Sequence, residues 1–216
     1  MQQNTDHIDN IIFDLGGVIL NIDPFQTVSE MKKLGIGNFD AVYAHLRHTH
    51  TLDKLEKGLI TQRDFIDDIL RQSDQRLTDE QVLKAWNALL LDFPGERIRL
   101  LQSLKESRRY RTYLLSNTNA IHYQVYSRML EEQFSIRGLE SLFERAYFSH
   151  ELHMRKPDRE IFEYVIHDSG VDPQRTLFID DAEANVQAAR QVGLHAYHLD
   201  GQATINDLFP EQPATR

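Results

Sequence analysis

Four short stretches carry the residues whose types and spacing suggest chemistry. Asp14 closes NIIFD, Ser116 and Asn117 close YLLSN, Lys156 stands in RKPD, and Asp180 and Asp181 close TLFIDD. Three of the four follow short apolar runs, so their polar groups stand where a buried segment gives way to turn residues. Carboxylates brought together repel one another, and either a proton or a cation relieves the repulsion. A hard divalent ion suits an all-oxygen donor set, and magnesium typically takes one or two carboxylates plus substrate phosphate oxygens. Ser116 and Asn117 can donate hydrogen bonds to a phosphate. Lys156 adds the positive charge that a phosphoryl group requires as it transfers.

These residues converge only if the right elements hold them. The runs at 10–14, 113–117 and 176–181 are short, apolar and bounded by turn residues. They read as strands buried on both faces, which implies a parallel sheet covered by helices. Between them lie helical stretches: one from Pro94 to about Ser107, with Pro94 in its first turn, and one opening at Lys156-Pro157-Asp158 and ending near Gly170. A third runs from Ala182 to Val192, with Gly193 as its C-terminal cap. The alternation predicts an α/β fold, a doubly wound parallel sheet with its ligand site at the carboxyl ends of the strands. Residues 21–91 are different, with helical periodicity throughout and N-caps at Thr61 and Thr78, the latter completing a capping box with Gln81. The expected organisation is a core of residues 1–20 and 92–216 with a small helical-bundle cap, 21–91, inserted after the first strand. Residues 210–216 read as a loose tail.

Composition narrows the classes of partner. The 216 residues are 41% hydrophobic and 26% charged, which is ordinary for a globular chain with a packed core. With no cysteine, disulfides, thiolate metal sites and cysteine nucleophiles are excluded. The net charge of −9, unopposed by any stripe of Lys and Arg, disfavours nucleic acid. No apolar run approaches membrane-spanning length, and the polar start MQQNTDHIDN does not resemble a signal peptide. A cytoplasmic protein acting on a small phosphorylated metabolite, as a monomer or weak homodimer, is expected.

FDLGGVI with Asp14, LLSNTN with Ser116, RKPD with Lys156, and FIDDAEANVQAARQVG with Asp180 and Asp181 resemble the four ordered motifs of the haloacid dehalogenase superfamily. Each motif alone is weak, but the four in order, spanning Asp14 to Gly193, are specific. The branch most similar contains bacterial sugar-phosphate phosphatases that act on glucose 1-phosphate. The resemblance implies a Rossmann-like core and an Mg2+-dependent phosphatase in which Asp14 attacks phosphorus to form an aspartyl phosphate. It further implies that the Asp14 carboxylate, the Gly16 backbone carbonyl and Asp181 hold magnesium, with Asp180 binding it directly or through water. Ser116 and the Asn117 backbone would hold the phosphate, and Lys156 would neutralise it. Many relatives carry a second Asp two residues after the nucleophile as general acid and base; here that residue is Gly16. Asp23, a water or a substrate hydroxyl are the replacements.

Several residues carry a plainer alternative. Asp23 before Pro24 is a common helix-start pair. Ser116-Asn117, and one of Asp180-Asp181, can cap the helices that follow them. His45, His48 and His50 read as solvated rather than metal-binding, and Trp86 and Phe65 as packed within the cap. Gly58 falls in a loop facing the site. Alternatives to the phosphatase are a haloacid dehalogenase-type hydrolase, a phosphoglucomutase-type transferase and a catalytically silent binding protein on the same fold.

Overall fold

A computed structural model of the chain describes residues 7–36, 38–73 and 75–209. The tail at 210–216 lies outside them. In Asn10–Phe13 (β1) alternate side chains enter opposite cores: Ile11 and Phe13 face one, Ile12 the other. This is the behaviour of a strand buried on both faces. β1 is central in a parallel five-stranded sheet of order β3-β2-β1-β4-β5, where β2 is Arg111–Ser116, β3 Arg145–Phe148, β4 Thr176–Asp180 and β5 His195–His198. The doubly wound parallel architecture expected from the sequence is present, with two short edge strands that the apolar runs did not signal.

Before the sheet can continue, the chain makes five helices among the described residues: Pro24–Lys33 (α1), Phe39–His48 (α2), Thr51–Glu56 (α3), Gln62–Arg71 (α4) and Asp79–Trp86 (α5). Thr78 and Gln81 form the expected capping box on α5, and Thr61 forms one with Asp64 on α4. These helices have their own apolar cluster, including Met31, Phe39, Leu46, Phe65, Ile69 and Trp86, with the Phe65 and Trp86 ring centroids 4.6 Å apart. The path into and out of the insertion is pinned by a bridge between Ile22 and Leu90.

Gly95–Ser107 (α6), Ala120–Phe134 (α7) and Ile205–Leu208 (α11) cover one face of the sheet through Leu101, Leu130 and Ile205. Arg159–Ser169 (α9) and Glu183–Gln191 (α10) cover the other through Ile161, Phe162, Val165 and Val186. A short helix, Ser149–Leu152 (α8), follows β3. Pro94 precedes α6 as its N-cap with ψ 124°, an extended residue outside the first turn where the sequence placed it. Gly170 and Gly193 adopt positive φ after α9 and α10, the left-handed conformation that ends a helix at least cost in glycine. Among the described residues no helix is long and apolar enough to cross a membrane.

Candidate active site

Strand register brings the chemistry together. Phe13 pairs with Ile179 on β4 and with Leu114 on β2, so the residues after them meet at one edge of the sheet. The Asp14 N–H donates to the Ile179 carbonyl at 2.9 Å, which carries the ladder one step past β1 and sets Asp14 beside Asp180. Ser116 ends β2 and is buried. Lys156 arrives from the far side of the sequence. The Asn117 side chain receives it with both ends of its amide: Nδ2 donates to the Lys156 carbonyl at 2.8 Å, and Oδ1 accepts the Lys156 N–H at 2.9 Å. One N–H of that amide and its oxygen are therefore taken by the lysine backbone. Asn119, not Ser116 or Asn117, caps α7 through its side-chain oxygen.

The Lys156 ammonium is 1% exposed and uses all three of its N–H groups. It donates to Asp14 Oδ1 at 2.6 Å, Asp180 Oδ2 at 2.7 Å and the Leu115 carbonyl at 2.8 Å. Burial disfavours its charge, but the two carboxylates outweigh burial and hold its pKa above the ordinary lysine value. Asp180 is fully occupied in another sense. Its Oδ1 accepts from the Ala182 N–H at 2.8 Å and from Asn185 Nδ2 at 2.9 Å, and its Oδ2 accepts from Lys156 and, at 3.1 Å, from Asn185. Asn185 was not singled out in the sequence, although it lies in the first turn of the helix that follows Asp180.

One ammonium does not neutralise three carboxylates. Ligand oxygens of Asp14, Asp180 and Asp181 lie within 4.8 Å of one another. Burial first, then the Asp180 and Asp181 charges, push the Asp14 pKa up to about 7 against the pull of Lys156. Burial and Asp180 likewise raise Asp181. This excess of negative charge on an all-oxygen set is what a hard divalent cation relieves, so the residues present fit Mg2+. The turn after Asp14 is shaped for the same purpose. Its backbone hydrogen bonds end on the Leu15 and Leu20 carbonyls and not on that of Gly16. Gly17, at φ +73°, lies so near Asp181 that a Cβ would come within 2.3 Å of Oδ2. No other residue type serves there without moving the carboxylate.

Asp23 caps the first helix of the insertion. Its oxygens accept from the Phe25 N–H and from Gln26 Nε2, both at 3.0 Å, as the N-cap of α1, and it is not one of the clustered carboxylates. Ser149, unforeseen in the sequence and fully buried, clamps the phosphate-loop candidate by donating to the Thr118 carbonyl and accepting its N–H, both at 2.9 Å. His50 pairs with Asp53, and His45 lies 4.0 Å from Asp68; among the described residues the only group able to hold a metal is that of Asp14. Gly58 packs its Cα against the His150 carbonyl.

A family model described as haloacid dehalogenase-like hydrolase matches residues 8–193. A D-ribitol-5-phosphate phosphatase from Bacteroides thetaiotaomicron is 32% identical over 198 residues, spanning 91% of this chain and 94% of that protein. A phosphorylated carbohydrates phosphatase from Thermotoga maritima is 23% identical over 190 residues, 87% of this chain and 82% of that protein. Among solved structures, a HAD family enzyme from Bacteroides thetaiotaomicron in complex with magnesium and inorganic phosphate superposes with a TM-score of 0.82 at 36% identity, covering 94% of this chain and 99% of that one.

Proposed function

The chain belongs to the haloacid dehalogenase-like hydrolases and is an Mg2+-dependent phosphatase of that family, and from that premise we propose that it hydrolyses small sugar or polyol phosphates through Asp14. The observation that carries the reading is the buried Asp14–Lys156–Asp180 triad with Asp181 beside it, three clustered carboxylates of which one ammonium pairs with two. The haloacid dehalogenase alternative leaves that surplus of carboxylate without a role.

An Asp14 carboxylate oxygen attacks phosphorus, and the bond from phosphorus to the sugar oxygen breaks. Water then attacks the aspartyl phosphate and releases inorganic phosphate, restoring the carboxylate. Lys156 holds Asp14 in place and offsets charge gathering on the transferred oxygens, while Asp180 and Asn185 fix the lysine. Ser116 and the Asn117 N–H are the phosphate donors. Asp14, Asp181 and the Gly16 carbonyl would hold Mg2+, with Asp180 next to them, and the ion supplies positive charge at the phosphoryl oxygens. With a glycine at position 16 and Asp23 engaged as a helix cap, the leaving oxygen takes its proton from water or from a substrate hydroxyl.

The division into a core (1–20 and 92–216) and a cap (21–91) is part of the proposal, as is a cytoplasmic monomer or weak homodimer. The named relative at 32% identity is a D-ribitol-5-phosphate phosphatase, which supports a class of phosphorylated sugars and polyols that includes the glucose 1-phosphate suggested by the resemblance. The test is a screen of phosphate monoesters with Mg2+, comparing wild type with Asp14→Asn. Turnover of small sugar and polyol phosphates that vanishes in the variant supports the reading. Turnover that persists in excess EDTA sinks it.

A further inference from the structure

The helical insertion meets the loop that carries Lys156 at several points. Arg155, the residue before the lysine, pairs with Asp53 and, through Nε at 2.9 Å, with Glu56, both on α3. Lys57 Nζ donates to Asp158 at 2.9 Å, and the Lys57 carbonyl lies 2.8 Å from His153 Nδ1. Gly58, at φ +63°, sits so close to the His150 carbonyl that a Cβ would approach within 2.2 Å. Residues 53–58 of the insertion thus grip residues 150–158 on both sides of Lys156. From the core side, the Asn117 amide holds the same lysine by its backbone. The lysine is seated between two supports, and one of them belongs to the insertion.

The joint is partly shielded from solvent. The side chains of Arg155, Asp53 and Glu56 are 27%, 41% and 29% exposed, and Arg155 Nε and Glu56 Oε2 are buried, so removing one partner leaves the other charge poorly compensated. Arg155 Nε and Glu56 Oε2 are close but not aligned as a hydrogen bond, a pairing of charges that tolerates sliding. Burial raises the Glu56 pKa while Arg155 opposes it, and Lys156 is near enough to oppose it as well. The planar guanidinium reaches two carboxylates at once, a geometry an ammonium does not reproduce.

We propose that Arg155 is a positioning residue through which docking of the helical insertion seats Lys156 against Asp14. This rests on the phosphatase reading given above. The test is steady-state kinetics on p-nitrophenyl phosphate with Mg2+ for wild type, Arg155→Gln, Asp53→Asn/Glu56→Gln and the triple variant. Either change lowers kcat about tenfold with KM within about threefold, because the joint acts on the transferring charge rather than on ground-state binding. The triple variant is no worse than either, since both changes remove one joint. Arg155→Lys recovers only part of the rate. Unchanged kcat, losses that multiply in the triple variant, or a lowered melting temperature at full kcat each overturn the proposal. Should the variants fail to fold, wild type still decides the matter. Asp53 is the exposed partner, so its pairing with Arg155 is screened and kcat at saturating substrate falls as ionic strength rises from about 0.05 to about 0.5 M, while a salt-independent kcat counts against the joint. A wild type that turns over no monoester refutes the phosphatase reading and takes this proposal with it. Active wild type with equally active variants refutes the joint alone.

Discussion

Asp14→Asn separates the electrostatic cost of the site from its chemistry. The Asp14 carboxyl is pushed from its ordinary value of 3.8 up to about 7 by burial and by Asp180 and Asp181, so the metal-free native state binds a proton more tightly than the unfolded chain does. For a carboxyl shifted in this direction, the stabilising contribution is complete below pH 3.8 and is lost as pH climbs through 7. At about 1.4 kcal/mol per pH unit the loss totals at most about 4 kcal/mol, more than half of it between pH 5 and pH 7. An asparagine keeps the shape and still offers Lys156 an oxygen but carries no charge to desolvate. In EDTA, Asp14→Asn is therefore more stable than wild type at pH 8, and its advantage shrinks by about 3 kcal/mol at pH 5. Titrating groups that do not touch Asp14, such as buried His122 with its pKa pushed down to about 4, act on both proteins and cancel in the comparison. The assay is urea unfolding of both proteins at pH 5, 6, 7 and 8. Added Mg2+ closes the gap at pH 8 by binding the wild-type native state. A stability difference that does not change with pH refutes the reasoning, because it would mean that Asp14 titrates normally.

The same variant retains less than about 1% of wild-type turnover with its circular dichroism unchanged, since an amide is a poor nucleophile. Gly17→Ala forces Asp181 aside from a 2.3 Å approach at a left-handed backbone position. It costs about 1–2 kcal/mol of stability and raises the Mg2+ concentration for half-maximal activity about tenfold, read from melts and from metal titration of rate. Asp23→Asn leaves the dependence of rate on leaving-group pKa unchanged in a graded series of phosphate monoesters, because that carboxylate is occupied capping α1. Ser149→Ala removes both bonds that clamp Thr118 and lowers stability by about 1–3 kcal/mol in urea melts, with KM for the phosphate ester rising.

The residues at the heart of the site were legible because the folding signal and the chemical signal coincide there. An apolar run buried on both faces marks a central strand, and its first polar residue marks the sheet edge, which is how Asp14, Ser116 and Asp180 announce themselves. The edge strands RAYF and HAYH give no such signal: each has four residues, includes an exposed or half-buried position and mixes charge with aromatic rings. Asp53, Glu56 and Arg155 look like solvated helix and loop charges, and only the tertiary approach of residues far apart in sequence pairs them. Asn117 has a second role that its type does not reveal. Its type suits a phosphate donor, yet the approach of Lys156 takes one N–H and the oxygen of its amide, a competition invisible without the fold. Asp23 before Pro24 reads first as a helix start and only second as a proton donor, and its two hydrogen bonds are those of the cap.

The position of β1 in the middle of the sheet has a consequence for how the molecule assembles. Among the described residues, the first strand in chain order is the one that needs both neighbours, Arg111 onward on one side and Thr176 onward on the other. The insertion's apolar cluster draws almost entirely on residues close in sequence and closes with little loss of chain entropy, whereas pairing β1 with β4 closes the longest loop around the site. Helices in the insertion therefore form early, and the sheet is completed late. Asp14 and Asp180 are strangers until that last pairing, so recovery of turnover trails recovery of helical signal during refolding, and a chain released before residue 180 has every helix of the insertion and no catalyst.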